Sequence, residues 1–430
     1  MRQKPNVQMA VLMLAMFLHY LAMVLPMAGI ALLVGRQWAM SDMLVGAVTG
    51  AAFFCSMFLR KYGGSLCLAI GARACYFRGT LLYASSGIVC LGAVVPALPL
   101  WARFGLLLVG RCMVGVSEAV TNVGMSMWSV DVMGVHRSGR VFANLGLAMY
   151  GAAAVGGHLG FWIFSIKGFE GLLAVSIVCP LCAHGLARLL PATEAPFAPP
   201  VPGQRRGAPL REILPYILPR GIPTICHSVG FIVIGSFLAK TFIDRGWPDP
   251  GLGFTCYGIG FVVMRVFVGH LPDKYGGVPV TAASGVLETA GLFLLWLAPE
   301  PRIALAGALL TGAGCSMIFP ALGMDIAKTV PVRLRSSCIS MYNMFIDCGY
   351  ALGGPAAGLV ADRFGGGSPD VFAALCSLCG LALIVRLWVV QRRAPKPVPD
   401  PGVSVQPGVP EQSFEQVEQL DAASAALTDE

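Results

Sequence analysis

Apolar stretches of about 20 residues recur along the chain as far as residue 390, and short polar segments separate them. A helix of this length crosses the hydrocarbon core of a bilayer, which is about 30 Å thick. The pattern therefore predicts an all-α membrane protein with twelve transmembrane helices. The predicted spans are 9–34, 42–59, 77–98, 102–127, 141–163, 171–190, 221–240, 251–270, 278–298, 303–327, 337–360 and 370–390.

Two segments lack this apolar pattern. Residues 191–220 are rich in proline and arginine, which predicts a semi-rigid cytoplasmic linker. Residues 392–430 open on a proline-rich stretch and end acidic with few apolar residues, which predicts a disordered cytoplasmic tail. These segments separate a predicted N-terminal six-helix bundle, 1–190, from a predicted C-terminal six-helix bundle, 221–391.

The two predicted bundles resemble each other in the loops that follow their second helices. In each loop an arginine is followed four residues later by one glycine and seven residues after that by another. Such repeats indicate two pseudo-symmetric halves, with a substrate site between them at mid-depth of the membrane. The matching residues are Arg60, Gly64 and Gly71 in the first half, and Arg265, Gly269 and Gly276 in the second.

Composition and charge agree with a membrane protein. Hydrophobic residues make up 56% of the chain and charged residues 12%, whereas a typical soluble domain has about 25% charged residues. The net charge of +8 is not gathered in one patch, because lysine and arginine concentrate at alternate ends of the predicted helices. This distribution argues against nucleic acid as a partner, and the positive-inside rule places both termini in the cytoplasm.

The sequence carries no motif for a cofactor or for enzyme catalysis. It lacks Gly-x4-Gly-Lys-Ser/Thr, so direct ATP drive is not predicted. The Cys-x-x-Cys pairs at Cys179 and Cys376 each lie within one apolar segment and have no matching second pair. They are interpreted as packing residues, so neither a metal nor a cofactor is predicted.

The predicted fourth helix carries an unusual polar face. Arg111, Gly115, Glu118 and Asn122 follow one another at spacings of four, three and four, which places them on one side of a helix. Arg111 and Glu118 would then lie about two turns, roughly 10 Å, apart. Ionisable groups are costly in hydrocarbon, so this face indicates a polar transport path. The alternative is a structural ion pair that locks two helices together.

Several of these segments resemble the major facilitator superfamily of membrane transporters. The loop from Gly269 to Gly277 resembles its signature loop, and Arg111-x3-Gly115 resembles its fourth-helix arginine motif. The glycine-rich segment 146–160 is similar to the fifth-helix motif common in its antiporters. Longer segments are similar to bacterial inner-membrane facilitators described as sugar or drug efflux proteins. The resemblance covers residues 10–390 and implies the major facilitator fold, a multi-pass protein of the bacterial inner membrane, and a monomer.

The resemblance also implies a cytoplasmic gate built from the two repeated loops. Leu68 stands where the family usually has an aspartate that holds the halves closed, while Asp273 keeps that role available in the second half. His158 replaces the usual proline of the fifth-helix motif, which weakens the antiporter interpretation. The predicted gating residues are Arg60, Gly64, Gly71, Arg265, Gly269, Asp273 and Gly276.

In the family, helices one, four, seven and ten line the central cavity, helped by helices two, five, eight and eleven. Mapped onto this sequence, polar residues of these helices become candidates for substrate binding. For the three histidines among them, packing against other helices is the alternative to a role in transport. The candidates are His19, Tyr20, Asn122, His158, His227, Tyr257 and Asn343.

Two carboxyl groups are candidates for carrying a proton. Burial disfavours the charged form of a carboxyl group, so such a group can take up and release a proton near neutral pH. Glu118 or Asp347 is the predicted proton carrier, with Arg111 stabilising its deprotonated form. Glu288 lies in the middle of the ninth span, which the family places at the periphery, and the sequence offers no role for it.

These features favour a secondary active transporter that moves a small organic solute through the lipid bilayer and is driven by a proton or another ion. Proton-coupled export by an efflux antiporter is the leading hypothesis. Import or uniport of a sugar or organic acid is the alternative within transport. A transporter-like sensor or a structural membrane partner that carries no solute is the alternative from another class.

Overall fold

The computed structural model describes residues 5–134, 137–191 and 209–393. These ranges contain helices and no β-strand. All contacts described below lie within one compact unit, Met1–Trp388. In chain order the helices are α1 (Pro5–Ala31, continued by a π-helix at Leu32–Gln37), α2 (Asp42–Ile70), α3 (Ala72–Leu91), α4 (Leu100–Met133), α5 (Ser138–Arg188), α6 (Leu210–Asp244), α7 (Pro250–Val268), α8 (Leu271–Tyr275), α9 (Gly277–Leu297), α10 (Pro301–Thr329), α11 (Val332–Phe364) and α12 (Ser368–Arg393).

Eleven helices among the described residues are long and apolar enough to cross a membrane. Helix α5 contains two crossings, because its 51 residues would reach about 75 Å if they formed one straight helix. It breaks at Gly168, where φ is 63° and ψ is −161°, a conformation that residues with a side chain rarely adopt. The structure therefore confirms an all-α membrane fold with twelve spans.

Two predicted boundaries differ from the structure by more than the others, each by eleven residues. Helix α2 continues to Ile70, beyond the predicted end at 59, because no glycine in the left-handed conformation stops it before Gly71. Helix α6 begins at Leu210, within the predicted linker 191–220, and it holds three prolines. Those prolines resemble a linker in sequence, yet the helix that carries them is packed and largely buried. The rest of the predicted linker, 192–208, and the tail from 394 lie outside the described residues.

The repeated loops have the same backbone conformation. Gly71 has φ 87° and ψ 151°, and Gly276 has φ 91° and ψ 156°. Each glycine lies directly before a spanning helix, and they are 205 residues apart in the sequence. The first half, α1 to α5, and the second half, α6 to α12, are thus built from the same repeated unit.

The end of the helix bundle at which α1 stops and α2 begins is called the far end, and the opposite end is called the near end.

Two seams of small residues join the halves. At the α2–α11 seam, Gly46 lies against the backbone of Gly354. At the α5–α7 seam, Gly157 lies against the Phe254 side chain, and Gly258 against Ala154. Small residues let the helix backbones approach closely where apolar burial drives little association.

The α2–α11 seam is expected to tolerate no added methyl group. A Cβ at Gly46 would point into the Gly354 carbonyl group, so Gly46→Ala is expected to lower the free energy of unfolding by about 1–3 kcal/mol. Gly105→Ala in α4 is the matched control, because apart from its own turn of helix no atom lies within 4 Å of its Cβ position. The control should be neutral or stabilise the helix by up to about 1 kcal/mol. Thermal unfolding in detergent measures both, and equal stability of the two variants would contradict the seam.

Candidate functional site

A hydrogen-bonded cluster joins α1 to α4 at the predicted polar face. The Tyr20 hydroxyl donates to Glu118 Oε1 at 3.3 Å, and Asn122 Nδ2 donates to the Tyr20 oxygen at 2.9 Å. Asn122 Nδ2 also lies 3.4 Å from Glu118 Oε1. Glu118 is 4% exposed, and its second oxygen, Oε2, has no hydrogen-bond partner. The cluster therefore leaves one carboxyl oxygen available for a proton or a solute.

A second polar group crosses from the first half to the second. Arg60 Nη2 donates to Asp347 Oδ1 at 2.8 Å, and Arg60 Nε donates to Asp347 Oδ2. Ser56 Oγ lies 3.4 Å from the same Oδ2 atom. Asp347 is 1% exposed, and the Arg60 side chain is 27% exposed. A two-bond arginine–carboxylate pair of this kind is strong and fixes the orientation of both groups.

The two polar groups form one electrostatic centre. The Glu118 carboxyl group lies within electrostatic range of both Arg60 and Asp347. Helices α1, α2 and α4 of the first half and α11 of the second half contribute to this centre. The sequence assigns Arg60 to a gate and Asp347 to proton binding, and the structure brings the two together because α2 remains helical beyond residue 59.

Arg111 lies within electrostatic range of Glu118, although among the described residues no ion pair within 4.0 Å joins the two side chains. Its role in stabilising the ionised carboxylate stays a prediction. Arg111 is 2% exposed, and its Nε and Nη2 atoms have no hydrogen-bond partner. Tyr83 and Cys90 of α3 lie within its electrostatic range. The alternative of an ion pair that locks two helices therefore has no support in this conformation.

The other predicted substrate residues fall into different surroundings. His19 is buried with its ring 4.7 Å from that of Tyr83, and neither of its ring nitrogens has a hydrogen-bond partner. His158 is exposed and lies beside Gly251 in the α5–α7 seam. Asn343 is half-buried on α11, one turn before Asp347. The structure thus places Tyr20 and Asn122 in the polar centre and Asn343 one turn from Asp347. The His19 ring packs beside that of Tyr20, with ring centres 6.2 Å apart, while His158 lies in the α5–α7 seam.

An apolar cavity lies beyond the polar centre towards the far end, between α1, α5, α6 and α7. It begins one helical turn after Tyr20 along α1. Tyr257 lines it and has a hydroxyl group without a hydrogen-bond partner. The cavity is lined by Val24, Met27, Ala153, Gly157, Phe231, Ile234, Gly235, Phe254 and Tyr257.

The predicted gating residues do not all connect the halves. The Arg265 guanidinium lies 4.5 Å from the centre of the Tyr150 ring, across the α5–α7 seam. Asp273 instead pairs with Lys328 of its own half at 3.2 Å, and both side chains are exposed. In this conformation Asp273 is therefore not a link between the halves. Gly64 lies within α2, and Gly269 lies between α7 and α8.

The structure shows ionic contacts at the far end that the sequence does not predict. Arg36 Nη2 pairs with Asp244 Oδ1 at 2.9 Å, and Lys240 pairs with Asp42. Asp362 accepts a hydrogen bond from the Asp42 backbone nitrogen at 2.7 Å. All three contacts link the first half to the second. The sequence shows only that these charged residues lie at the ends of helices. It does not show which of them are in contact, because the partners are about 200 or 320 positions apart.

Glu288 and His227 also differ from their predicted surroundings. Glu288 is not at a lipid-facing periphery but fully buried, with Oε2 2.6 Å from His227 Nδ1. His227 is therefore directed into the second half rather than towards the polar centre. Position along a single helix could not show this, because the two residues lie on different helices.

Comparison with known proteins places this geometry in a family. The sequence profile of the Major Facilitator Superfamily matches residues 12–248 and 224–420. An uncharacterized MFS-type transporter of Salmonella typhimurium is 31% identical over 371 residues, which are 86% of this chain and 94% of that protein. An uncharacterized MFS-type transporter of Burkholderia mallei is 33% identical over 381 residues, 88% of this chain and 91% of that protein.

Solved structures share the fold at low sequence identity. A D-xylose–proton symporter superposes with a TM-score of 0.71 at 14% identity, covering 87% of this chain and 96% of that one. A mutant form of the nucleoside transporter NupG superposes with a TM-score of 0.66 at 14% identity, covering 90% of this chain and 99% of that one. The profile, the relatives and the shared fold agree with the twelve spans and repeated halves. The chain therefore belongs to the major facilitator superfamily and is a multi-pass membrane transporter of small molecules.

Proposed function

We propose that this protein is a proton-coupled secondary transporter that exports a small organic solute across the bacterial inner membrane. It works as a monomer without a cofactor, it does not bind nucleic acid, and both termini lie in the cytoplasm. The observation that carries the proposal is the Arg60–Asp347 pair, which joins the two halves beside the buried carboxyl group of Glu118.

Protonation changes what holds the halves together in this scheme. An ionised Asp347 balances the charge of Arg60, and burial makes each group depend on the other. A proton on Asp347 or Glu118 removes one negative charge from the centre and weakens this link. Tyr20, Asn122 and Asn343 then supply hydrogen-bonding groups for the solute. The glycine-lined seams let one half rock against the other around this fixed centre.

The direction of access fits a protein that loads its solute from the cytoplasm. The contacts between the halves described above run from the far end to mid-depth. The ionic contacts of Arg36, Asp42 and Lys240 are the outermost of them and lie at the far end. This conformation therefore suits access from the near end, which the positive-inside rule assigns to the cytoplasm. Export itself rests on the resemblance of the sequence to efflux facilitators.

A solute screen that compares a deletion strain with an overexpressing strain would identify the cargo, and proteoliposomes would then test coupling. The expected result is solute movement opposite to the proton gradient, which collapses when the gradient is dissipated. Flux that is indifferent to the pH gradient would contradict proton coupling. Solute movement in the same direction as protons would replace export by import, and no flux across a broad panel would favour the sensor.

A further inference from the structure

A second buried polar group lies inside the second half, away from the centre between the halves. His227 of α6 places Nδ1 2.6 Å from Glu288 Oε2 of α9, and the two residues are 1% and 0% exposed. Ser377 of α12 lies 3.3 Å from the same Nδ1 atom and 2.8 Å from Thr289 Oγ1. Four polar groups from three helices thus meet within the membrane-spanning part of the second half.

Glycines close the helices tightly around this pair. A Cβ at Gly380 would lie 2.8 Å from His227 Nε2, and one at Gly285 would lie 3.1 Å from the same ring. A Cβ at Gly230 would lie 2.5 Å from Glu288 Oε1. His227 Nε2 has no hydrogen-bond partner. The site is therefore dry on these sides, and a net charge held there is costly.

One side of the pair faces a row of titratable groups that leads to the apolar cavity. Cys315 Sγ of α10 lies 3.2 Å from Glu288 Oε1. The Tyr257 hydroxyl of α7 lies beside the Cys315 thiol and has no hydrogen-bond partner, while Tyr257 also lines the cavity. Tyr350 of α11 lies within electrostatic range of the same thiol. Among the described residues no lysine or arginine pairs with Glu288, so its charge depends on His227.

We infer that the His227–Glu288 pair is a proton-binding site, loaded from the cavity past Tyr257 and Cys315. The inference rests on the proposed function, because it supplies a second place for the coupled proton. In the unloaded pair the imidazole is neutral, its Nδ1–H donates to the Glu288 carboxylate, and the pair carries one negative charge. Loading breaks an O–H bond of a hydronium ion in the cavity, which leaves as water, and forms an O–H bond at Glu288 Oε1 with the Cys315 sulfur as acceptor. The loaded pair is neutral, which suits the dry site.

The positions in the first half that are equivalent to this site carry different residues. Tyr83 of α3 precedes Glu288 by 205 residues, the same separation that relates the two repeated loops. Tyr83 packs against His19 of α1 with ring centres 4.7 Å apart. At this separation the first half has Tyr83 where the second half has Glu288, and Ala22 where the second half has His227. Of these two sites, only the one in the second half holds a carboxyl group.

Infrared difference spectroscopy of the full chain in lipid nanodiscs, between about pH 5 and about pH 8, tests the site without a solute. We expect a carboxylic-acid band that disappears in Glu288→Gln and shifts but persists in Glu288→Asp. The exposed carboxyl group of Glu170 provides the control, since Glu170→Gln should leave that band unchanged. An identical pH-difference spectrum in folded wild type and folded Glu288→Gln would overturn the inference.

If Glu288→Gln does not fold, the NMR chemical shifts of the histidine nitrogens in the wild-type protein test the inference instead. The His227 ring, assigned by comparison with His227→Gln, should change its hydrogen bonding over the same pH range, and a ring without any change would overturn the inference. Absence of the band from wild-type protein that still couples transport to a pH gradient would reject this site alone. A titrating band together with gradient-independent transport would reject the proposed proton coupling and leave the proton site in place.

Discussion

Asp347→Asn is expected to lower the initial rate of gradient-driven transport by about 100-fold. The variant leaves Arg60 without the carboxylate that both of its hydrogen bonds require. Breaking a buried ion pair by removing one partner costs about 3–5 kcal/mol, and the partial exposure of Arg60 places the expected cost at the lower end of this range. Counted in full against the barrier to transport, a cost of about 3 kcal/mol corresponds to roughly two factors of ten in rate. Initial rates in proteoliposomes with an imposed pH gradient measure the effect.

The double variant Arg60→Gln with Asp347→Asn separates stability from coupling. It removes both charges of the pair, so neither partner is left without the other, and the protein should regain thermal stability relative to Asp347→Asn. Gradient-driven transport should stay low, because no carboxyl group remains at position 347 to exchange a proton. Wild-type transport by Asp347→Asn at normal protein levels would remove the Arg60–Asp347 pair from the mechanism.

Glu118→Gln is expected to abolish accumulation of the solute while preserving exchange. A glutamine oxygen can still accept from Tyr20 and Asn122, so the cluster keeps its hydrogen bonds and the variant should fold normally. The amide cannot bind the coupled proton. A gradient of one pH unit supplies about 1.4 kcal/mol, or about tenfold accumulation with one proton per solute. The variant should therefore fall from about tenfold accumulation to equilibration, with solute counterflow close to wild type.

Arg111→Ala is the comparison on the same face of α4. Among the described residues Arg111 forms no ion pair with a carboxylate, so its removal should change counterflow and accumulation together, whereas Glu118→Gln should change accumulation alone. Counterflow and pH-driven accumulation measured in the same liposomes distinguish these outcomes. If both variants transport at the wild-type rate with normal protein levels, the polar face of α4 is scaffolding.

The spans and the repeated halves could be predicted from the sequence because both depend on local patterns. An apolar run of fixed length reports a membrane crossing whatever its neighbours are. The paired loops around Gly71 and Gly276 repeat the same spacing, and the structure gives both glycines the same conformation. The helix boundaries were harder to predict, since the prolines of α6 resemble a linker and the charges that follow residue 59 within α2 resemble a loop.

The composition of the polar centre depends on which helices become neighbours, which local patterns do not report. Arg60 and Asp347 are 287 residues apart, and each has a plausible separate role when considered alone. Glu288 shows the same limit, because its position along α9 gives no sign that His227 of α6 covers it. Glu118 and Asn122 were accessible to prediction, since a polar face on an apolar helix is visible within one segment.

The central claim is that water and solute reach Glu118 between the halves, and chemical labelling tests it most directly. Ser126 is half-buried on the same face of α4, one turn beyond Asn122 towards the near end, so Ser126→Cys is a conservative probe. A membrane-impermeant thiol reagent is applied from each side, and mass spectrometry resolves the probe from the 14 native cysteines. The account predicts modification from the cytoplasmic side, slowed by transported solute, while buried Cys338 in the same sample stays unmodified. A probe as unreactive as Cys338 from both sides would place Glu118 in a dry seam and contradict the account.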